Sequence, residues 1–266
     1  EVIASLGFAT MIPDYIGFGE SKQYLHPYYN AELTAASVIN GIKATKEFML
    51  NEGIIDNKQL FLLGYSEGGY ATLAAQKEIE TNLNWTITGS AAGSGGYNLK
   101  QVTQEVVMNA TYESPNYLGY IIHSYNKTND WGNPLTSYFN EPYATRIPTL
   151  FDGSKGHVDI NDGLDDDLNT LLNESFLEGL RNDEKNQFTD EMEKNSVHSW
   201  IPKFPLRMYH GTEDQIVPFN DSQLTYDNLL EMGGNVTFTP LVGKTHSTGL
   251  EEMLLYVTPW FISLKE

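Results

Sequence analysis

The sequence predicts an α/β fold with a mostly parallel sheet, flanked by helices and interrupted by one mainly helical insertion. Strand-like and helix-like segments alternate in the first hundred residues, and the alternation returns after residue 205. Residues 98–205 lack this alternation and are typical of helices and turns. Because alternating strands and helices form parallel sheets with right-handed crossovers, we assign residues 1–97 and 206–266 to a sheet core. Residues 98–205 are assigned to an inserted helical cap.

Each element of the core is predicted from the period of its apolar residues and from the glycines and prolines that bound it. The strands are predicted at residues 7–12, 59–63, 85–91, 206–210 and 236–242. The helices are predicted at residues 31–51, 68–80, 222–232 and 248–263.

The cap is predicted from two long amphipathic segments, residues 164–180 and 183–195. Prolines divide the rest of this region into shorter pieces. Aromatic side chains cluster between Tyr112 and Tyr143. We expect them to form the core of the cap, with some of them lining a substrate entrance.

The composition argues against several classes of function. The 266 residues carry 35 acidic and 16 basic side chains, and this formal charge of −19 repels phosphate backbones and anionic membranes. We therefore expect no nucleic-acid partner. The absence of cysteine excludes disulfides and cysteine nucleophiles. The best apolar candidate, residues 253–262, is shorter than a membrane span and contains Pro259, so we expect no stable membrane insertion.

A serine lies between two glycines where a predicted strand meets a predicted helix. Gly64, Ser66 and Gly68 form a Gly-x-Ser-x-Gly pattern directly after the strand at 59–63. A nucleophile elbow requires this context, because its tight turn holds the serine in a strained backbone conformation. Side chains at the flanking glycines would collide with the neighbouring strand and helix. The alternative interpretation is a tight turn that merely needs small residues.

The helix that follows the elbow predicts one donor for an oxyanion. Its N-terminus directs amides and the positive end of the helix dipole toward the place where an oxyanion would form beside Ser66. We expect the backbone N–H of Glu67 to be one such donor.

The base and the acid that a serine nucleophile needs follow Ser66 in the chain, acid first. Asp214 lies in the turn after the strand at 206–210, and His246 lies in the loop after the strand at 236–242. The long separation of Ser66 from Asp214 agrees with an insertion between them. Glu213 is the alternative acid. The other histidines are alternative bases that we expect to be structural: His26, His123, His157, His198 and His210.

Four segments resemble the esterase and lipase branch of the α/β-hydrolases, in particular bacterial esterases and secretory lipase-like proteins with a helical cap. They are Pro13-Asp14-Tyr15-Ile16-Gly17-Phe18-Gly19-Glu20-Ser21, His26-Pro27-Tyr28, Gly64-Tyr65-Ser66-Glu67-Gly68-Gly69, and His210-Gly211-Thr212-Glu213-Asp214 with Val217-Pro218. The resemblance implies hydrolysis of a small-molecule carboxylic ester by Ser66, His246 and Asp214, without a metal or organic cofactor. It also implies a secreted or cell-envelope location. A serine peptidase or amidase on the same fold, and a non-catalytic binding protein, remain as alternatives.

The start of the chain departs from that family. There, the first strands of the sheet and a second oxyanion loop precede the segment that begins at Pro13, and only about twelve residues precede it here. We therefore expect the leading strands to be absent from this sequence. The chain begins at Glu1 without an initiator methionine or a signal-peptide pattern, so we expect that residues were removed or that the chain is a fragment.

Two further groups of residues have both a structural and a functional interpretation. Asp14 and Tyr15 follow the first predicted strand, and form either a hydrogen-bonded turn or a border of the acyl or oxyanion pocket. The carboxylates between Asp159 and Asp167 suggest a calcium site, but they miss the EF-hand spacing. Acidic residues at the start of the helix predicted from residue 164 instead complement its dipole. We therefore predict no metal site.

Overall fold

The structure, a computed structural model, describes residues 2–266, with side chains from Ile3 onward. The chain divides into two compact units. The sheet unit contains the chain up to Asp14, Ala31–Tyr97 and Val197–Glu266, and the helical unit contains Tyr15–Asn30 and Asn98–Ser196. The helical unit thus includes Tyr15–Asn30, which lies within the predicted sheet core of residues 1–97. The assignment of this unit as a cap stays a prediction.

Within the described residues, the sheet has four strands, all parallel. They are β1 (Phe61–Tyr65), β2 (Gly89–Gly93), β3 (Leu206–Gly211) and β4 (Val236–Leu241), and they lie in this order across the sheet. Because all four run in the same direction, their carboxyl ends lie along one edge. The residues that follow β1, β3 and β4 are therefore brought to the same edge, where open parallel sheets bind their ligands.

Four of the five predicted strands are present, with shifted ends, and the predicted strand at residues 7–12 is wrong. No strand is formed there. Phe8 packs edge-on against Phe61 with the ring centroids 5.3 Å apart, and lies 6.4 Å from Phe261, whereas Ile12 is exposed. The apolar character of this segment therefore reflects side-chain packing and not pairing in the sheet.

Helices make up most of the remaining described structure. In the sheet unit they are α1 (Val2–Ser5), α2 (Ala31–Asn51), α3 (Glu67–Glu78), α11 (Phe219–Glu231) and α12 (His246–Leu264), with a π-helical turn at Ile79–Leu83. In the helical unit they are α4 (Leu99–Val107), α5 (Pro115–Thr128), α6 (Tyr143–Leu150), α7 (His157–Asp162), α8 (Leu168–Leu171), α9 (Glu174–Arg181) and α10 (Gln187–Asn195), with 3-10 turns at Gly19–Ser21 and Leu135–Ser137. None of the described helices combines the length and the apolar character that crossing a membrane requires.

Helix α12 is held to the sheet by its own apolar face. Met253, Val257 and Phe261 recur at helical spacing and pack in one buried cluster with Tyr209 of β3. Burying a side chain of this size contributes about 1.5–3 kcal/mol. The chain that follows β4 is therefore fixed in position from the start of this helix onward.

The helical unit contains one wrong helix prediction and one shifted helix. The single helix predicted at 164–180 is divided into α8 and α9, because Leu172 is extended (φ −96°, ψ 149°) and the Asn173 side chain accepts from the N–H of Phe176. Such a cap starts a new helix. The helix predicted at 183–195 begins later, at α10, where Asn186 caps it in the same way.

Aromatic residues form part of the core of the helical unit. Tyr28 stacks on Tyr120 with the ring centroids 5.0 Å apart. The Tyr125 hydroxyl donates to the carbonyl oxygen of Tyr29 at 2.9 Å, and burial raises the pKa of Tyr125 well above its usual value. As predicted, aromatic residues of the cluster between Tyr112 and Tyr143 are buried: Tyr112, Tyr125, Tyr138 and Phe139.

A buried histidine in α5 should make stability depend on pH. His123 is 4% exposed, its ring lies 6.0 Å from that of Phe151, and burial lowers its pKa from 6.5 to about 4. The unfolded chain takes up this proton near pH 6.5, and the folded chain takes it up only near pH 4. The contribution of neutral His123 to the free energy of unfolding is therefore fully present above pH 6.5. It is lost as the pH falls toward 4, by about 3 kcal/mol in total.

We expect the His123→Gln variant to lose less stability than the wild type between pH 6.5 and pH 4, because glutamine takes up no proton. Urea unfolding followed by circular dichroism at a series of pH values measures the difference. Replacement of the exposed histidine at the start of α7, His157→Gln, is the matched control and should behave as the wild type. Equal pH dependence in the His123→Gln variant and the wild type would contradict the prediction.

Candidate active site

Ser66 lies in a strained turn between β1 and α3. Its backbone has φ 57° and ψ −125°, a conformation that costs an ordinary L-residue about 1–3 kcal/mol. The Ser66 N–H donates to the Gly93 carbonyl at 2.8 Å, and the Ser66 carbonyl accepts from the N–H groups of Gly69 and Tyr70 at 2.8 and 3.2 Å. The strand, turn and helix that the sequence predicts around this serine are therefore present.

Two of the glycines around Ser66 are required by close contacts. A Cβ at Gly64 would collide with the Gly68 carbonyl and the Thr72 hydroxyl, and a Cβ at Gly69 would collide with the Gly93 carbonyl. A Cβ at Gly68 would meet nothing within 4 Å. The prediction of a steric requirement at Gly68 is therefore wrong. The requirement at Gly69 comes from Gly93, which is distant in the chain.

Gly68→Ala and Gly69→Ala form a matched pair one residue apart. We expect Gly68→Ala to stabilise the protein by about 0.5–1 kcal/mol, because alanine loses less backbone entropy than glycine in a helix. Gly69→Ala should destabilise it by about 1–3 kcal/mol, the usual effect of forcing atoms into a filled space. Urea unfolding measures both changes. Two variants with the same change in stability would show that the contact with Gly93 is unimportant.

The structure brings Ser66, His246 and Asp214 together in the sheet unit, and we call these three residues the triad. His246 Nδ1 is 2.7 Å from Asp214 Oδ2, so this nitrogen carries a hydrogen and donates it. His246 Nε2 is 2.9 Å from Ser66 Oγ and accepts from the hydroxyl. The hydrogen-bonded chain from serine through histidine to aspartate is unbroken, and it has the order that the sequence predicts.

Asp214 is buried in the turn after β3 and accepts hydrogen bonds at both carboxylate oxygens. Oδ1 accepts from the N–H groups of Ile216 and Val217 at 3.0 and 2.9 Å. Oδ2 accepts from His246, and His210 Nε2 lies 3.2 Å from the same oxygen. Burial raises the pKa of the Asp214 carboxyl, but the hydrogen bonds from His210 and His246 outweigh burial and lower this pKa well below its usual value. The carboxylate therefore stays ionised beside His246.

Asp214 and His246 meet because two backbone segments approach closely. A Cβ at Gly211, the last residue of β3, would collide with the Lys244 carbonyl in the loop after β4. The N–H of Glu213 donates to that carbonyl at 2.9 Å, and the N–H of Gly243 donates to the Thr212 hydroxyl at 2.9 Å. Glu213, the alternative acid, is exposed and contributes its backbone to this contact.

A tyrosine that sequence reasoning missed connects the serine turn to the histidine. The Tyr65 hydroxyl donates to the backbone carbonyl of His246 at 2.6 Å, and a Cβ at Gly249 would collide with that hydroxyl. Burial raises the pKa of Tyr65 to about 12, so the hydroxyl keeps its hydrogen. Tyr65 stands at a variable position of the Gly-x-Ser-x-Gly pattern, and this contact spans 181 positions. No local signal in the sequence could have found it.

Tyr65→Phe removes the hydroxyl that makes this hydrogen bond and keeps the ring. We expect the variant to be less stable by about 1 kcal/mol, the usual contribution of one hydrogen bond. Labelling of Ser66 by a fluorophosphonate should slow by about three- to tenfold, because the backbone of the base is less well held. Tyr256→Phe, which changes a half-exposed tyrosine of α12, is the control. Unchanged labelling in the Tyr65→Phe variant would show that the link does not position His246.

The other predicted residues lie at several places. Glu67 is the first residue of α3, so its backbone N–H lies at the N-terminus of that helix beside Ser66. Its role as an oxyanion donor stays a prediction. Asp14 belongs to the sheet unit, whereas Tyr15 belongs to the helical unit and stacks on His26 with the ring centroids 5.9 Å apart. His26 itself is buried and donates from Nδ1 to the Ile16 carbonyl at 2.7 Å.

The aspartates just before α8 serve local structure. Asp165 accepts from the Tyr143 hydroxyl at 2.8 Å and from the N–H of Asp167 at 3.0 Å. Asp167 caps α8 by accepting from the N–H of Asn169 at 2.9 Å. In residues 2–266, no group of three or more histidine, aspartate or glutamate side chains is arranged to hold a metal ion.

Comparison with known families places this chain in one of them. The sequence model of a family described as secretory lipase matches residues 2–133 and 164–254, and the chain belongs to that family. Lipase 5 of Candida albicans is 26% identical over 248 residues, which cover 85% of this chain and 48% of that protein. A secreted triacylglycerol lipase of Malassezia furfur is 25% identical, over 87% of this chain and 59% of that protein. The chain thus spans about half the length of the curated relatives it matches.

Solved structures are similar over most of the chain. A putative hydrolase from Legionella pneumophila superposes with a TM-score of 0.91 at 24% identity, over 97% of this chain and 70% of that one. The cell wall degrading esterase LipA of Xanthomonas oryzae superposes with a TM-score of 0.81 at 23% identity, over 91% of this chain and 66% of that one. The fold is that of the α/β-hydrolases, and the prediction of fold class is confirmed.

Proposed function

We propose that this chain hydrolyses carboxylic esters through an acyl-enzyme formed on Ser66. The observation that carries the proposal is the hydrogen-bonded chain of the triad, with distances of 2.9 Å from Ser66 Oγ to His246 Nε2 and 2.7 Å from His246 Nδ1 to Asp214 Oδ2. Membership of the secretory lipase family supports an ester as the substrate. So does the likeness to proteins named lipases and esterases.

In the first half of the reaction, Ser66 Oγ bonds to the carbonyl carbon of the ester while His246 Nε2 takes the hydroxyl proton. The electron pair of the C=O π bond moves to oxygen and forms a tetrahedral oxyanion. When this intermediate collapses, the C=O bond forms again and the bond to the alcohol oxygen breaks. His246 Nε2–H gives its proton to that oxygen, so the alcohol leaves and the acyl group remains on Ser66.

In the second half, a water molecule takes the place of the alcohol. His246 Nε2 takes a proton from the water as its oxygen bonds to the acyl carbon, and a second tetrahedral oxyanion forms. Collapse of this intermediate breaks the bond to Ser66 Oγ, which regains its proton from His246. The products are a carboxylic acid and the starting enzyme.

Two electrostatic features support these steps. Asp214 stays ionised, so it stabilises the protonated imidazole that forms twice in each cycle and holds the Nδ1–H tautomer. Helix α3 begins at Glu67, and we propose that the N–H of Glu67 donates to the oxyanion. One such donor contributes about 10²- to 10³-fold to kcat in serine hydrolases.

The charge of the chain favours a neutral substrate. A formal charge of −19 repels anionic esters, so we propose uncharged acyl esters as the substrate class. The Malassezia furfur relative is named as a triacylglycerol lipase, which is an activity on neutral esters. We therefore extend the proposal to acylglycerols.

Ser66→Ala tests the proposal. We expect the purified chain to hydrolyse p-nitrophenyl esters and tributyrin and to be labelled at Ser66 by a fluorophosphonate. The Ser66→Ala variant should lose the labelling and at least about 10⁴-fold in kcat, because the nucleophile is gone. Ser199→Ala, at an exposed serine of the sheet unit, is the matched control.

Two outcomes would point to other functions on the same fold. Faster turnover of an aminoacyl amide than of the matching ester would favour a peptidase or amidase. A folded wild-type chain with neither turnover nor labelling of Ser66 would favour a non-catalytic protein and would refute ester hydrolysis.

A further inference from the structure

A fully buried histidine lies against the acid of the triad. His210 is the penultimate residue of β3 and is 0% exposed. Its Nε2 is 3.2 Å from Asp214 Oδ2 and 3.0 Å from the Val217 carbonyl oxygen. Both neighbours are acceptors, so Nε2 carries a hydrogen and shares it between them. The sequence alone predicts a merely structural role for this residue.

The opposite nitrogen of the ring is held by a hydroxyl. His210 Nδ1 is 2.6 Å from Ser222 Oγ, which is buried in the first turn of α11. A hydroxyl can donate or accept, so Ser222 suits both the neutral and the charged form of the ring. In either form, the hydrogen stays on Nε2, the nitrogen that bonds to the Val217 carbonyl and lies 3.2 Å from Asp214 Oδ2.

The same histidine also closes the turn that carries the acid. The N–H of Val217 donates to Asp214 Oδ1 at 2.9 Å, and the Val217 carbonyl accepts from His210. Val217 is therefore bonded to both side chains. The ring of His210 also packs edge-on against Phe219 with the centroids 5.8 Å apart. These contacts leave the carboxylate little freedom to rotate.

Two histidines thus share one carboxylate oxygen. Asp214 Oδ2 accepts from His246 at 2.7 Å and lies 3.2 Å from His210 Nε2. A second donor draws negative charge from the oxygen and weakens its attraction for a protonated His246. This attraction is weakened whether His210 is neutral or charged, because the N–H group of the ring carries positive charge in both forms.

On the basis of the proposed function, we propose that His210 is a positioning residue. It fixes the position of Asp214 Oδ2 and weakens the attraction of this oxygen for protonated His246. In this way it sets the pH range in which Ser66 is activated. His210 acts through Asp214.

The other titratable groups around His246 in the sheet unit cannot replace this effect. Tyr65 of β1 lies with its ring centroid 5.4 Å from that of His246, and it is neutral because burial raises its pKa to about 12. Lys244, on the loop before His246, is paired with Glu252 of α12 at 3.4 Å.

The deciding variant is His210→Phe combined with Ser222→Ala. Phenylalanine keeps a ring against Phe219 but donates no hydrogen bond, and alanine avoids leaving a buried hydroxyl unpaired. We expect the acidic limb of the pH profile of kcat/KM to move to higher pH by about 0.5 unit or more. At pH values below the midpoint of that limb, kcat/KM of the double variant should be about threefold lower than that of Ser222→Ala alone, which is the matched control.

A second readout needs no turnover. The low-field proton NMR signal of His246 Nδ1–H, followed against pH in the full chain, reports where His246 takes up its proton. This midpoint should rise in the double variant and stay in place in Ser222→Ala. If the wild type hydrolyses no ester, the proposed function fails, and the NMR titration still decides the role of His210.

Two further variants complete the test. His210→Leu with Ser222→Ala replaces the first variant if the phenylalanine form does not fold. His210→Gln keeps a side-chain donor. It should return two midpoints toward the wild-type values, the midpoint of the acidic limb of kcat/KM and the midpoint of the NMR titration. The proposal is overturned if both midpoints of the folded double variant coincide with those of Ser222→Ala or move to lower pH, whatever happens to kcat.

Discussion

The triad depends on one backbone contact, the close approach between the end of β3 and the loop after β4. Gly211 makes this contact possible, because any side chain there would collide with the Lys244 carbonyl. Hydrogen bonds between the two segments then hold them together. The separation of Asp214 and His246 is therefore set by the backbone and depends little on the conformations of flexible side chains. Fixed geometry of this kind is a large source of catalytic advantage.

The strain at Ser66 is offset by the packing around it. The positive φ of this serine, at a ψ of −125°, is unfavourable, and it persists only where the surroundings hold it. Helix α3 supplies that support, because Tyr70, Leu73 and Ala75 are completely buried. β2 contributes from the other side through the Gly93 carbonyl, which accepts from the Ser66 N–H. Ser66 is thus held by apolar burial and by the sheet at once.

The sheet and the triad could be predicted from the sequence because their signals are local. Ser66, Asp214 and His246 each follow a predicted strand, and parallel strands bring such positions to one edge. Contacts between distant residues could not be predicted in this way. Glycine is required at position 69 because of the close contact with Gly93, and the Tyr65 hydroxyl hydrogen-bonds to the His246 carbonyl. In both cases the partner is distant in the sequence.

The failed element predictions have a related cause. A period of apolar residues reports burial, and burial is possible without strand pairing, as in residues 7–12, where Phe8 packs on other rings. Likewise, asparagine is compatible with the interior of a helix but also starts one. Asn173 does the latter and divides the helix predicted at 164–180. In both places the competing structures differ in tertiary contacts that no short window of sequence contains.

The proposed base is also the first residue of the helix that fills the core. His246 begins α12, and Met253, Val257 and Phe261 of the same helix are buried against the sheet. Displacing the imidazole by more than a rotamer change therefore means unpacking this helix. The conformational entropy of ordering the base is lost once, during folding, and is not lost again with each substrate that binds. For the same reason, heat should inactivate the site and melt the core as a single event.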